Sequence, residues 1–218
     1  MTALVWNVGT EKVYESGLDQ GVLYVRDANG AYPLGVPWEG LTAVTESPGG
    51  AEPTDLWANN AKYATLTSVE TLGGSIEAYT FPDEFMQCDG GVDLDTGVSV
   101  GQQPRKTFGL AYRTRVGNEA GGDMVGYKIH LVYGCKAAPS ERAYNTVNDS
   151  PEAVAFSWDF TTTPVSVAGQ SPTSMVVIDT TKADPAVVTW ISEQLFGAEG
   201  VVANLPLPDA IKAFIDTL

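Results

Sequence analysis

The residues able to do chemistry are few, and their spacing does little for it. The chain has one histidine, His130. An imidazole is the usual general base near neutral pH. His130 stands in "GYKIHLVYG", on the polar side of an alternating stretch beside Lys128, and no partner spacing suggests a Ser-His-Asp constellation. A lone surface histidine is the expectation. Asp89, Asp93 and Asp95 in "CDGGVDLDTG" have the flavour of a calcium loop. The D-x-D-x-D-G pattern is incomplete, and the closing position that needs Glu holds Val100 or Pro104, so an Asx-rich turn is expected. Asp83 and Glu84 are adjacent. Neighbours on a helix point in different directions, which suits the helix dipole better than a shared substrate. "VSVGQQPRK" lacks the glycines and the following helix of a phosphate loop. Cys88 and Cys135 are too few for a zinc site or a disulfide framework, and both are expected to behave as small hydrophobes. No catalytic, metal or cofactor residue is assigned, and the chain is not expected to be an enzyme.

The aromatics leave a second possibility. Trp6, Trp38 and Trp57 fall in loop-like sequence. Exposed loop aromatics would stack on sugar in a carbohydrate-binding β-sandwich, or bury in a subunit interface. Trp158 and Tyr127 fall on core faces.

The whole chain bounds these options. Its 218 residues, 44% of them hydrophobic, suffice for one domain of ordinary size with a sizeable core. The net charge of −15 repels a nucleic-acid backbone, so direct DNA binding is not expected. The opening "MTALVWNVGTEKVYES" has no basic start followed by an apolar run, so no signal peptide and a cytoplasmic origin are expected. No stretch approaches the roughly 20 apolar residues of a membrane span.

Most of the chain reads as strands. "GVLYVRDANGAYPLGV" reads as a hairpin about Asn29-Gly30. "GLTAVTES" and "KYATLTSVE" read as strands flanking a long turn-rich connector, Pro48–Ala61, which carries Leu56 and Trp57. "GGSIEAYTF" is a strand running into "PDEFMQCDGG", a helical turn or two closed by Gly90-Gly91. "RKTFGLAYRTRV" puts Phe108, Leu110, Tyr112 and Val116 on one face and Arg105, Thr107, Arg113 and Arg115 on the other. Its return strand groups Val125, Tyr127, Ile129, Leu131 and Tyr133, so a long hairpin with one dry face is expected. "AVAFSWDFTTTP" alternates cleanly: Val154, Phe156, Trp158 and Phe160 against Ser157, Asp159, Thr161 and Thr163. The strand "SMVVIDTT" follows. The C-terminus turns helical. Asp184-Pro185 is an N-cap with Pro at the first helical position, and Gly197 ends the run. In "LPLPDAIKAFIDTL", Ile211, Phe214, Ile215 and Leu218 share a side. The expected fold is mainly β: an antiparallel β-sandwich or barrel over residues 1–180, a short flanking helix, and a helical C-terminal extension over 181–218 packed on it or on a neighbouring subunit.

Six stretches carry a family resemblance: "YESGLDQGVLY", "GVPWEGLTAVTESPGGAEPT", "IEAYTFPDEFMQCDG", "VGQQPRKTFGLAYRT", "GYKIHLVYGCKAAPSERAYNTVNDSPEAVAFSWDFTTTPV" and "LPLPD". In order and spacing, over roughly residues 6 to 210, the chain resembles the major tail tube proteins of long-tailed bacteriophages of the siphophage type. The resemblance implies a structural virion protein of the tail tube fold, made in the host bacterial cytoplasm. Six subunits would form a ring, and rings would stack into a conduit for genome delivery. Its partners would be further copies of itself, a tape-measure protein, tail-tip and tail-terminator proteins, and double-stranded DNA in transient passage without specific binding. No cofactor is implied. On that reading the connector from Pro48, with Leu56 and Trp57 as anchors, reaches an adjacent ring or folds on its own subunit. Arg105, Arg113 and Arg115 would meet acidic groups at subunit contacts. Ser157, Asp159 and Thr161 would face either the lumen, repelling phosphate, or solvent outside the tube.

Overall fold

The computed structural model describes residues 4, 6–9, 11–146 and 153–218. Parts of the opening stretch, and residues 147–152 within the longest stretch of resemblance, lie outside the described residues. In chain order the elements are β1 (Val13–Val25), β2 (Gly35–Pro37), β3 (Leu41–Gly49), β4 (Pro53–Ala58), β5 (Ala61–Thr67), β6 (Thr71–Ala78), a 3₁₀ turn at Asp83–Phe85, β7 (Val92–Asp95), β8 (Val98–Val100), β9 (Phe108–Asn118), β10 (Gly122–Ala137), β11 (Phe156–Thr162), β12 (Val165–Val167), β13 (Gln170–Thr173), β14 (Met175–Asp179), α1 (Pro185–Phe196) and α2 (Pro208–Ile215). The chain is mainly β and antiparallel throughout, as its alternation implies.

One sheet runs β2-β1-β9-β10-β11-β6-β3, with β14 also paired to β10. The long strand β10 changes partner midway. Lys128 to Val132 pair with β14, and Cys135 to Ala137 pair with β11. The switch falls at Gly134, whose φ is +64°, and a Cβ there would sit 2.2 Å from the Thr163 carbonyl oxygen. Only glycine fits that bulge. The sheet curls until β3 approaches β1. There is no backbone ladder between them among the described residues, but the Trp38 amide donates to the Gly21 carbonyl at 2.8 Å. Leu41 presses on Gly21, where a Cβ would meet it at 2.7 Å.

The inside of the curl holds one core. Trp38, Phe85 and Trp158 pack with ring centroids 4.6 to 5.9 Å apart, and Phe108, Leu110, Ile76 and Phe160 surround them. The 3₁₀ turn drops Phe85 into this barrel as a plug. Trp38 is therefore a core residue and not a loop aromatic, its indole N–H donating to the Thr80 carbonyl at 2.9 Å. Cys88 and Cys135 are buried here as free thiols. Burial pushes the Cys88 thiol up to about 12, which suits a small hydrophobe.

The outside of β1, β9, β10 and β14 carries a second core under the helices. Ile129, Leu131 and Tyr133 pack against Ile191, Leu195 and Ile211. Asp184 caps α1 by accepting from the Ala186 amide at 2.8 Å, and Pro185 opens the helix. The β9–β10 hairpin corrects the expectation of one dry face. Directly opposed residues share a face, and the register opposes His130 to Tyr112 and Ile129 to Arg113. The two apolar rows therefore lie on opposite sides, one inside the barrel and one under the helices. The apolar stripe of α2 is only half used. Ile211 is buried and Phe214 stacks on Trp190 at 4.6 Å, while Ile215 and Leu218 are exposed.

Candidate functional site

Among the described residues, three strands of the barrel wall have no helix behind them. On β11, Ser157, Asp159 and Thr161 are exposed while Trp158 and Phe160 are buried inward. The register carries that outer face across two more strands. Asp159 lies beside Ser75, which lies beside Thr45; Ser157 lies beside Glu77, then Ala43; Thr161 lies beside Gly73, then Ser47. The side chains are small or acidic, and β3, β6 and β11 contain no lysine or arginine. Lys136, opposite Thr161 on β10, borders the face. No sequence pattern groups Glu77, Ser75 and Thr45 with Asp159. Only the strand pairing shows that they share the face.

The same two strands, β3 and β6, run on into a projecting hairpin. The connector beyond Pro48 is not a turn-rich loop: β4 and β5 pair along it from Pro53–Thr67 to Ala58–Ala61. Asn59 and Asn60 turn it with φ of 52° and 61°, the left-handed pair that a two-residue hairpin turn requires. Nearly every residue of this arm is exposed. Leu56, Ala64 and Leu66 share one side by register. Asp55 and Lys62 form an ion pair at 2.7 Å, and Thr65 donates to Asp55 at 2.8 Å. Those two contacts hold the Asp55 carboxyl below its usual range. Trp57 lies past a bulge, away from Leu56, and is 68% exposed. Pro48 is exposed at the arm's base.

Arg113 and Arg115 stand apart from both features, on the helix side of β9. Their acidic partner belongs to their own chain. Asp19 of β1 accepts from Arg113 Nε at 2.7 Å and Arg115 Nε at 3.1 Å. The Arg113 guanidinium, aided by Arg115, keeps the Asp19 carboxyl below the usual carboxylate range against the opposing effect of burial. Arg113 also lies over the Tyr127 ring, 4.6 Å from its centroid. Arg105 likewise donates to an acid of its own chain, Asp89, at 3.1 Å.

His130 is not a surface histidine. Its ring stacks on Tyr112 at 4.7 Å inside the mouth of the barrel. Nδ1 lies 3.3 Å from Glu46 Oε1, and Nε2 lies 3.0 Å from Thr114 Oγ1. Acid, imidazole and hydroxyl in that order resemble a relay, and no spacing in the sequence signals it. The hydroxyl, however, gives its proton to Glu15 at 3.3 Å, and Lys128 closes on the same carboxylate. Tyr112 also donates to Glu46. The cluster ties β1, β3, β9 and β10 together across the seam. The His130 contact, with help from Tyr112, lowers the Glu46 carboxyl from its ordinary value. Asp93 and Asp95 lie on β7 of the β7–β8 hairpin, while Asp89 is bound by Arg105 and Arg142. Among the described residues, no cluster of His, Cys, Asp and Glu could hold a metal ion, and no helix is long and apolar enough to cross a membrane.

No family model matches the chain, and no curated protein matches it. Among solved structures, it is similar to the sheath/tube terminator, in the extended state, of PVC, an extracellular contractile injection system. The identity is 8% and the TM-score 0.36, over 81% of this chain and 99% of that one. A likeness at that score carries no argument about fold or function.

Proposed function

We propose that this chain is a structural subunit of a phage tail tube. On this reading it assembles through copies of itself into stacked hexameric rings and has no catalytic role. The observation that carries the proposal is the uncovered face of β3, β6 and β11, polar, small-chained and free of cations, which runs directly into an exposed arm. A wall that DNA slides along must not grip phosphate. Asp159 and Glu77 repel it, and Ser157, Ser75, Thr45 and Thr161 offer short neutral side chains. The arm supplies what stacking needs: apolar side chains held out from the body and left exposed by the described residues. The sequence resemblance points the same way and adds the virion tail as location, with tape-measure, tail-tip and terminator proteins as partners.

Negative-stain electron microscopy of the purified protein across a concentration series, with and without a tail-tip initiator complex, tests this. Hollow tubes or stacked rings are expected. A protein that stays monomeric at every concentration, initiator included, would overturn it.

A further inference from the structure

The arm and a charged cleft lie at opposite ends of the same strands. The arm leaves β3 and β6 beyond Gly49 and Thr71, the end marked by Thr161. The other end is marked by Phe156, Ala78 and Leu41. There a cleft of about 410 Å³ opens between the 3₁₀ turn, the β7–β8 hairpin and the segment after β10. Phe81 forms one wall. Arg142 lies over Phe81 and Phe156, 5.4 and 5.6 Å from their centroids. Arg142 and Arg105 both donate to Asp89, so two guanidinium groups share one carboxylate. Arg105 spends its remaining reach on the Ala137 and Ala138 carbonyls. Arg142 makes no other hydrogen bond among the described residues and keeps 34% of its side chain exposed. Asp93 and Asp95 on the neighbouring hairpin are exposed acids, so the guanidinium pair is a local cationic exception.

We infer that this cleft is the receiving site for the arm of a second copy. The inference rests on the tube reading. Three observations carry it. A surface at one end that is complementary to a pocket at the other makes a head-to-tail contact, which continues as a stack. The six residues of β4 carry the arm roughly 20 Å past the sheet, far enough to leave its own body. The arm is acidic, with Glu52, Asp55 and Glu70 against Lys62, and it displays Trp57 and Tyr63 as open rings. A cleft with a guanidinium stacked on phenylalanines suits an aromatic ring flanked by a carboxylate. The α2–β14 surface, where Val177, Ile215 and Leu218 are exposed, is also apolar, but each cation there has its own acid, Lys182 with Asp179 and Lys212 with Asp216, whereas the cleft sets two guanidinium groups on one carboxylate.

A photo-crosslinking benzoylphenylalanine placed at position 57 of the full chain tests this by mass spectrometry of assembled material. Crosslinks are expected on residues 81–105 and 139–142 of a second copy. Arg142→Glu should raise the concentration needed for polymer by roughly tenfold or more, the effect of losing one desolvated charge contact. Arg142→Gln, which adds no repulsion against Asp89, should do so with an unchanged melting curve. Polymer whose crosslinks fall on the α2–β14 surface or elsewhere, or that forms normally with Arg142→Gln, would overturn the cleft assignment and leave the tube reading standing. Absence of any polymer with the unsubstituted chain overturns both.

Discussion

Two regions of this molecule use the same kinds of side chain to opposite ends. Inside the barrel, Trp38, Phe85 and Trp158 are wholly enclosed and touch one another. On the arm, Leu56, Trp57, Tyr63 and Leu66 touch little beyond solvent. The first set holds the subunit together. The second adds nothing to the fold that burial could supply. On the proposed reading, these large apolar groups, kept in water on a paired, well-turned hairpin, are the surface that a second copy covers. The largest effect that could break this contrast comes from truncating one residue of each kind. Phe85→Ala empties the plug and should cost about 3–5 kcal/mol in denaturant unfolding. Trp57→Ala should change stability by less than about 0.5 kcal/mol, as surface substitutions do, while abolishing tube formation. If Trp57→Ala destabilised the monomer as Phe85→Ala does, the arm would be part of the fold and the contrast would fail.

The contrast also explains what was legible in the sequence. The β11 strand reads correctly because one face is dry and the other wet, so alternation alone orients it. The β9–β10 hairpin misleads because both faces are buried. Helices cover one side and the barrel closes on the other, so apolar residues on each strand give no hint that they point apart. The arm is missed as a hairpin for the converse reason: neither face is buried, and no periodicity is imposed on β4. Its turn signal, Asn59-Asn60, is present in the sequence. Trp38 looks like a loop residue because its neighbours are turn formers. Only the plug supplied by the 3₁₀ turn shows why it is buried. Tyr112 and His130 face each other across the β9–β10 hairpin, but Glu46 comes from β3, far back in the chain, and only the closing of the barrel brings it to them.

A smaller effect separates the charges that close the barrel from those that face outward. Asp19 has its carboxyl lowered chiefly by Arg113, and Glu46 has its own lowered chiefly by His130. A lowered folded value means the unfolded chain binds the proton first. The stabilisation is fully present above the ordinary carboxylate value, and it is lost as pH falls through the lowered one. Unfolding free energy should therefore drop below about pH 4. Asp19→Asn should cost about 1–2 kcal/mol at neutral pH, since it strips a charged acceptor from two arginines. It should also flatten part of the acid limb. The Asp159 side chain makes no hydrogen bond or ion pair among the described residues, so Asp159→Asn should leave the stability unchanged. An Asp159→Asn variant that unfolded more easily would place that residue in the fold's own charge network.

The smallest effect on stability carries the most about function. Asp159→Asn combined with Glu77→Gln removes both acids from the outer face of β6 and β11 without touching a buried group. The change should fall within about 0.5 kcal/mol of the parent in unfolding, and tubes should assemble at the parent's rate. What should change is the passage of DNA. With the repulsion gone, Lys136 at the border of the face becomes its one charge, and phosphate is held rather than deflected. Ejection from particles bearing the variant should slow, and the slowing should shrink as salt rises, because screening weakens attraction and repulsion alike. Unchanged ejection at low salt would mean that this face looks outward to solvent. The lumen would then be lined by another part of the chain, and the arm and cleft alone would remain as the surfaces that make the tube.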